Sequence, residues 1–533
     1  MTIKRILLSV LVALCCAGAH AEEDEPAFEI RGYVVEGNTL LPRDQVEAVL
    51  LAYTGPEASF STIQEAITAL EAFYAKSGYG AVKAFLPEQD VDQGLIRLQV
   101  VEAKIGSIII SGNTYFSDEN IRRSVPGLRE GETPNMLRID DQLRLANENG
   151  GKNTGLVFRR NQNEGEVDAM LNVADDSPLR LSVSMDNTGI ASSDGKYATG
   201  RFRTGVVLQH SNLFDRDHAL SLQYLTSPDH FDKVTILGLG YRIPLYAYGD
   251  DVTFAYAYSN VNSGKLATAA GTFGISGSGQ LFMARYNQSL PKWGGWSQKL
   301  SYGIDYKAYS SRIMAEGSSD SLVPDATVHP VSLTYFGSGT LAGRDVDLSV
   351  SAVQNIPGGA DGTTADFNKT GARQGATAGY HLWRYTANGI QPLPGDWRLR
   401  GALQGQMTDK ALISGEQFGA GGMDSVRGFN ERSVVNDYGQ RVTVELQTPD
   451  LGASLASAAK MRLLAFYDTA WLRRRQALAS EVSALQIASH GVGVRAVYAK
   501  NLSLRLDFAV VDKGRDAREE GSKMIHASIT AYF

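Results

Sequence analysis

Hydrophobic and polar residues alternate along the second half of the chain, in segments of about ten residues separated by Gly, Asn, Asp and Ser. In one segment Leu504, Leu506 and Phe508 share one face, and Arg505 and Asp507 share the other. A period of two is typical of β-strands with one apolar and one polar face. The pattern predicts sixteen strands with these approximate bounds: 179–187, 198–210, 218–226, 233–243, 251–261, 278–289, 297–309, 328–337, 344–354, 373–385, 396–407, 439–448, 460–471, 486–498, 501–511 and 524–533.

An even number of amphipathic strands favours a closed antiparallel barrel whose wall separates lipid from a wet lumen. A soluble β-sandwich would show the same alternation, so the end of the chain helps to decide. The chain stops on the aromatic Phe533, and Ile525, Ala527, Ile529 and Ala531 step towards it by two. Such a strand resembles the signal that the outer-membrane assembly machinery reads. The prediction is an all-β transmembrane barrel of about sixteen antiparallel strands.

A different pattern occurs twice before the barrel. "VVEGNTLLP" (Val34–Pro42) matches "IIISGNTYFS" (Ile108–Ser117), and each copy predicts a strand, two helices and two strands over about 75 residues. In the first copy, Thr62 and Glu65 are expected to form a capping box at the start of a helix. The N-terminal half is therefore predicted to be a pair of α+β domains. Spacing alone leaves open whether they are packing modules without a further role.

The chain begins with a basic stretch, an apolar run (Ile6–Cys16) and the small-residue motif Ala19–Ala21. This pattern predicts a secretory signal peptide over residues 1–21, too short to span a membrane, with the mature chain starting at Glu22. Both cysteines lie within it, so no disulfide or thiolate metal site is expected afterwards.

Composition narrows the chemistry further. The formal net charge is −7, which gives no indication of nucleic-acid binding. "GGKNTG" (Gly150–Gly155) lacks the Walker spacing and has no Ser or Thr directly after Lys152. The chain also lacks the H-E-x-x-H and G-x-S-x-G motifs. We therefore expect no catalytic residue, no cofactor, no metal and no enzymatic activity.

The connection between two late strands, 408–438, is far longer than a tight turn and contains "GAGGMDSVRGFNER". It places Arg427 among glycines, which permit close backbone approaches. A solvated loop is the ordinary interpretation. However, a later strand places Asp468 between Phe466 and Ala470 on its inner face. An inner face so apolar is expected to be packed against, with one carboxylate available for a cation.

These residues carry a family resemblance. "SVRGF" (Ser425, Val426, Arg427, Gly428 and Phe429) and "FYDTA" (Phe466–Ala470) resemble the paired motifs of the outer-membrane insertase and two-partner secretion superfamily. "GYGAVKAFLPEQDVDQGLIRLQVVEAKIGSIIISGN" resembles the POTRA pair of its transporter branch, the TpsB proteins. The resemblance implies POTRA domains at 22–103 and 104–175, and a barrel at 176–533 whose sixth extracellular loop, 408–438, folds inward.

By this resemblance Arg427 would meet Asp468 inside the barrel. Two departures qualify the comparison. Ala470 stands where the motif has glycine, which adds a methyl group at the packing surface. The stretch Glu22–Ala27 is too short for the plug helix of some relatives, so the loop, alone or together with extracellular segments, is expected to close the pore.

The implied function is export of an unfolded partner exoprotein, an adhesin, haemolysin or contact-dependent toxin with an N-terminal secretion domain. The transporter would lie in the outer membrane as a monomer with its POTRA domains in the periplasm. Its other partners would be outer-membrane lipids and, through Phe533, the assembly machinery. The alternative is an insertase of the BamA type, which typically carries more POTRA domains. A porin would leave the repeats unexplained.

Overall fold

The computed structural model describes residues 27–90, 93–189, 199–261, 264–268, 271–275, 278–310, 324–452, 456–517 and 519–533. The predicted signal peptide, its cleavage site and nearly all of the short stretch after it lie outside these residues. The chain divides into two compact units. One contains residues up to Ser107 with Arg129–Leu137 and Arg159–Asp168, and the other contains Ile108–Leu128, Arg138–Phe158 and Ala169–Phe533.

The first repeat is built on a three-stranded sheet in which the central strand, Leu95–Val101, runs parallel to Gly32–Glu36 and antiparallel to Lys83–Phe85. One helix packs Leu70 and Tyr74 against Ile96 and Leu98 of the sheet, and all four are buried. The predicted order of elements is present, with one additional strand pair, β1 with β3. The elements are β1 Phe28–Ile30, β2 Gly32–Glu36, α1 Arg43–Leu51, β3 Gly55–Ala58, α2 Phe60–Lys76, β4 Lys83–Phe85 and β5 Leu95–Val101.

The predicted capping box is wrong by one helical turn. Helix α2 begins at Phe60, and the N–H of Ser59 donates to Oγ1 of Thr62 at 3.2 Å. Ser59 has an extended backbone and occupies the N-cap position, so Thr62 is the third residue of the helix. Glu65 therefore lies beyond the positions that can cap the first turn.

The second repeat has a sheet in the order β6-β8-β7. Its elements are β6 Lys104–Ser111, α3 Asp118–Ser124, α4 Met136–Asn147, β7 Lys152–Arg160 and β8 Glu166–Asp175. The repeated Gly-Asn-Thr turn has one physical explanation in both copies. Gly37 and Gly112 have φ of +85° and +91°, and a Cβ on either would lie 2.3 Å from the carbonyl oxygen of Val100 or Val173. Only glycine fits such a position.

The rest of the chain forms one closed antiparallel barrel of sixteen strands, as predicted. Ala326–Val328 and Pro330–Leu341 both pair with Trp296–Tyr309 and form one strand interrupted at His329. The barrel closes where Lys523–Tyr532 pairs with Leu179–Asp186. The barrel elements are β9 Leu179–Asp186, β10 Arg203–Leu213, β11 His218–Thr226, β12 Thr235–Leu245, β13 Asp250–Ser259, β16 Gly279–Trp293, β17 Trp296–Tyr309, β18 Ala326–Val328, β19 Pro330–Leu341, β20 Arg344–Asn355, β21 His381–Pro392, β22 Arg398–Met407, β25 Tyr438–Gln447, β26 Ala459–Arg473, β27 Ala484–Tyr498, β28 Leu502–Lys513 and β29 Lys523–Tyr532. Between them, β14 Gly264–Thr268 pairs with β15 Gly271–Ile275, and β23 Phe418–Ala420 pairs with β24 Val434–Asn436.

One predicted strand is displaced. The segment 373–385 was expected to be a strand, but β21 starts only at His381. Ala376, Ala378 and Tyr380 alternate as in a strand because they are buried in a loop cluster with Phe367 and Leu412. Their period of two reflects packing between loops and not membership of the wall.

The wall has the expected two faces. On β26, Leu463, Tyr467 and Trp471 are exposed on the outside, whereas Phe466 and Asp468 are buried on the inside. In the described part of the chain, no helix combines the length and the apolar character needed to cross a membrane.

The second repeat is joined to the barrel rim through a buried polar group that we call the rim cluster, Asn120, Lys152, Asp217 and Tyr246. Lys152 Nζ donates to Asp217 Oδ2 and to Asn120 Oδ1, each at 2.6 Å. Tyr246 donates its hydroxyl to the same carboxylate oxygen of Asp217. The side chains of Lys152 and Asp217 are 0% and 1% exposed. The turn between β10 and β11 is thereby fixed to the repeat.

Candidate functional site

The loop 408–438 joins strands β22 and β25, and its tip lies against the inner wall. Val426 and Phe429 of the tip are buried in one apolar cluster with Ala470, Ile487 and Val511 of strands β26, β27 and β28. The loop supports its own shape with the short β23–β24 sheet. Apolar side chains on both the tip and the wall remove the tip from water.

Glycines shape the tip. Gly421 and Gly422 have φ of +105° and +109°, in the left-handed region that side chains disfavour. The N–H of Gly421 donates to Oγ of Ser425 at 3.1 Å, and the N–H of Ser425 donates to the carbonyl oxygen of Gly422, also at 3.1 Å. Ser425 thus closes a tight turn directly before Arg427.

Arg427 lies in a group that we call the anchor cluster, Arg427, Glu445, Phe466, Asp468 and Asp507. Its Nε and Nη2 donate to the two carboxylate oxygens of Asp468 at 2.6 and 2.8 Å, and its backbone N–H adds a third bond at 3.1 Å. Nη1 donates to Glu445 at 2.8 Å and to Asp507 at 3.4 Å. The guanidinium carbon lies 3.4 Å from the centre of the Phe466 ring. The paired geometry matches the planar fork of a guanidinium.

Gly428 allows the tip to approach the wall. Its φ is +91°, and a Cβ there would lie 3.2 Å from Cγ2 of Val511 and 3.4 Å from Cβ of Ala509. Its N–H donates to Nε2 of His526 on the last strand at 2.9 Å. Any larger residue would force both the backbone and the contact to change.

Three arginines of the wall also contact carboxylates of the anchor cluster, in addition to Arg427. Arg495 and Arg505 each bind Asp507 at 2.8 Å, and Arg400 lies 3.4 Å from Glu445. These arginines, with Arg427 and Arg441, line a cavity of about 530 Å³ beside the tip. The cluster therefore contains several positive and negative groups that can exchange partners.

The predicted site residues are therefore found in two places. Ser425, Val426, Arg427, Gly428 and Phe429 meet Phe466, Asp468 and Ala470 inside the barrel, and Ala470 is fully buried in the apolar cluster. Phe533 lies apart, with its side chain 73% exposed. Its backbone exchanges two hydrogen bonds with Leu181 of β9, at 2.8 and 3.1 Å. Phe533 thus extends the seam that closes the barrel.

Sequence reasoning missed Glu445, Asp507 and His526 as partners of the tip. Asp507 lies on the predicted polar face of its strand, and Glu445 alternates with Val444 and Leu446 in the same way, which was the available signal. Their proximity to Arg427 depends on the curvature of the barrel, because they lie 18 and 80 residues away along the chain. Across the described residues, no group of His, Cys, Asp and Glu side chains is arranged to hold a metal ion.

Comparison with known proteins identifies the family. Residues 165–496 match the family described as "Haemolysin secretion/activation protein ShlB/FhaC/HecB". The chain belongs to this family. Residues 28–103 match the ShlB-type POTRA domain. The chain is also 23% identical to the heme/hemopexin transporter protein HuxB of Haemophilus influenzae, over 76% of this chain and 69% of HuxB. It is 25% identical to the outer membrane transporter CdiB of Dickeya dadantii, over 80% of this chain and 74% of CdiB.

Solved structures show the same fold. CdiB from Escherichia coli matches with a TM-score of 0.75 at 18% identity, over 98% of this chain and 93% of that one. BamA from Haemophilus ducreyi without POTRA domains 1–3 matches less well, with a TM-score of 0.50 at 13% identity, over 95% of this chain and all of that one.

Family membership confirms the predicted outer-membrane transporter with POTRA domains in the periplasm, which exports an exoprotein through its barrel. The insertase alternative has the weaker support. The signal peptide remains a prediction.

Proposed function

We propose that the chain exports one large exoprotein carrying an N-terminal secretion domain, and that loop 408–438 closes the barrel until this partner arrives. The observation that carries the proposal is the anchor cluster. Arg427 is 2% exposed and donates hydrogen bonds to three wall carboxylates. A loop cation held in this way keeps the tip within the lumen, where it would block an unfolded chain.

The same cluster supports release of the loop. If Arg427 leaves, Glu445 still has Arg400, and Asp507 still has Arg495 and Arg505. Two of the three carboxylates therefore keep a cation, so the uncompensated buried charge is confined to Asp468. The exchange lowers the cost of moving the tip.

Recognition would begin at the POTRA domains, for which we propose boundaries of 22–103 and 104–175. The sheet order of the first domain leaves β2 and β4 at its edges. An extended chain can pair with such an edge through main-chain hydrogen bonds, which depend little on its side chains. This mode suits an unfolded partner that crosses the periplasm. Folding of the exported chain outside the cell would drive transport, and no cofactor is required.

The outer face of the wall and the residue after strand β29 suggest two further partners of the protein. The exposed apolar and aromatic residues of the wall would contact outer-membrane lipids, and the transporter would act as a monomer.

Phe533 would be the signal for the assembly machinery. We expect Phe533→Ala to lower outer-membrane abundance, measured by immunoblotting, while inserted molecules still conduct ions. Unchanged abundance would assign Phe533 to ordinary strand pairing.

Two observations test the function: we expect a neighbouring gene to encode a large exoprotein with an N-terminal secretion domain, and we expect secretion of that exoprotein to require this chain. Removal of Phe28–Ala174 should leave an inserted barrel that secretes nothing, because the recognition edges are gone and Asp217, no longer covered by the second repeat, is hydrated instead of buried without its cation. The full chain at matched outer-membrane levels is the control. Normal secretion by the shortened chain would contradict the proposal, and improved insertion of other barrels by the full chain would favour an insertase.

A further inference from the structure

The first half of the inward loop contains a second buried ionic contact. Glu416 ends the short helical turn Ser414–Glu416, and its side chain is 0% exposed. Its Oε1 accepts from Lys307 Nζ at 2.8 Å and from the Tyr309 hydroxyl at 2.7 Å. Its Oε2 accepts from Arg384 Nη2 at 3.0 Å. Both carboxylate oxygens are thus bound by groups on the wall.

The wall partners of Glu416 differ from those of Arg427. Lys307 and Tyr309 lie on β17 and Arg384 lies on β21, whereas the anchor cluster uses β25, β26 and β28. The polarity is also reversed, since a loop anion is held here by wall cations. The two contacts therefore attach one loop to two separate parts of the wall with opposite charges.

The backbone around Glu416 is held as well. Gln406 Nε2 on β22 donates to the carbonyl oxygens of Glu416 and Asp437, each at 2.9 Å. The Tyr309 hydroxyl also lies 3.1 Å from the carbonyl oxygen of Gly415. These bonds join the beginning and the end of the loop. A buried carboxylate with three donors is stable only while those donors remain in place.

We propose that Glu416 is a second latch of the closed state, independent of the Arg427 anchor. This inference rests on the proposed role of the loop as the closure of the barrel. Release of the tip alone leaves the first half of the loop bound to β17 and β21, so the pore is only partly open. Full opening requires that Glu416 also leaves Lys307 and Arg384.

Conductance of the purified full chain in planar lipid bilayers tests the second latch, and it needs no exoprotein. We expect Arg427→Ala to raise the fraction of time in open states. Adding Glu416→Gln should raise it by roughly a further tenfold, because hydrogen bonds to a charged group are lost. Glu416→Gln alone should have a smaller effect, since the tip stays anchored. Asp409→Asn is the matched control, because Asp409 is an exposed loop carboxylate paired with Lys410 and His381.

An open fraction in the double variant equal to that of Arg427→Ala overturns the proposal. Lys307→Met tests the same bond from the wall, and combined with Glu416→Gln it should add little, because the interaction is lost only once. If Glu416→Gln does not assemble, Lys307→Met in the Arg427→Ala background serves instead, and an unchanged open fraction there also overturns the proposal. Altered conductance with normal secretion would contradict the loop's role in export while leaving the latch intact.

Discussion

Two buried cations hold this transporter together in different ways. Lys152 in the rim cluster binds one carboxylate and one amide and is 0% exposed. Arg427 in the anchor cluster faces three carboxylates and borders a cavity of about 530 Å³. Burial lowers the pKa of the Lys152 ammonium group, and the adjoining Asp217 carboxylate opposes that shift. The first cation is enclosed, whereas the second lies among exchangeable partners.

The difference separates a permanent joint from a releasable contact. Loss of Lys152 would leave Asp217 with hydroxyl and amide donors but without its cation. The turn that bears Asp217 is also strained, because Phe214, Asp215 and Asp217 all have φ between +53° and +59°. Around Arg427, by contrast, wall arginines remain beside two of the carboxylates. Lys152 and Arg427 are buried to a similar extent, but Lys152 fixes the second repeat to the barrel, whereas Arg427 holds a loop tip that can be released.

The largest effect is expected from a substitution that breaks the rim cluster, the permanent joint. Lys152→Met leaves a buried carboxylate without its cation, which costs on the order of 3–5 kcal/mol. We expect a large fall in outer-membrane abundance and rapid proteolysis of the second POTRA domain. Lys292→Met is the control, because Lys292 pairs with Asp140 at the exposed rim and such pairs contribute about 0–1 kcal/mol. Equal effects of the two changes would mean that the rim cluster is not a joint.

The next largest effect is expected from substitutions that break the anchor cluster, the releasable contact, and these should leave the fold intact. Arg427→Ala and Asp468→Ala should each reduce secretion at matched outer-membrane levels, because each removes one partner of the buried contact and leaves the other charge unpaired, so the tip no longer holds the position from which the arriving exoprotein releases it. The double variant should be far less than additive, since one interaction is removed. Arg427→Lys should restore little, because an ammonium group lacks the planar fork. Fully additive secretion defects would show that the two residues act separately, and a loss of abundance as severe as that of Lys152→Met would remove the contrast between the clusters.

The smallest effect is expected from a substitution that tests how closely the tip approaches the wall. Gly428→Ala introduces a Cβ at a positive φ, at a cost of about 1–3 kcal/mol. Secretion and open fraction should shift in the direction of Arg427→Ala, but less. Gly401→Ala on β22 is the matched control, because nothing lies within 4 Å of its Cβ position. The same conductance for both variants would show that the tip tolerates the added methyl group.

Much of the fold was predictable because the local sequence pattern identifies its elements. The sixteen strands follow from alternation, and the repeats follow from a Gly-Asn-Thr turn that requires glycine. The prediction was wrong where loop packing imitates a strand, at Ala376–Tyr380, and where two hydroxyl residues compete for one helix start, at Ser59 and Thr62. Period and composition cannot distinguish those cases, because both alternatives have the same local pattern.

The candidate site was predictable only in part. The family resemblance implied that Arg427 and Asp468 would meet, and the apolar inner face around Asp468 indicated only a carboxylate available for a cation. Glu445, Asp507 and Glu416 could not be assigned to partners, because their contacts join strands far apart in the sequence. Those contacts depend on how the closed wall curves around the loop, which no local pattern records.

The hydrogen bond from Gly428 to His526 has a consequence for the order of folding. His526 lies on β29, the strand that reaches the chain terminus and pairs with β9. The N–H of Gly428 therefore has this partner only after β29 has been placed. A barrel without β29 lacks this acceptor, so the tip completes its set of contacts with the wall only when β29 is in place.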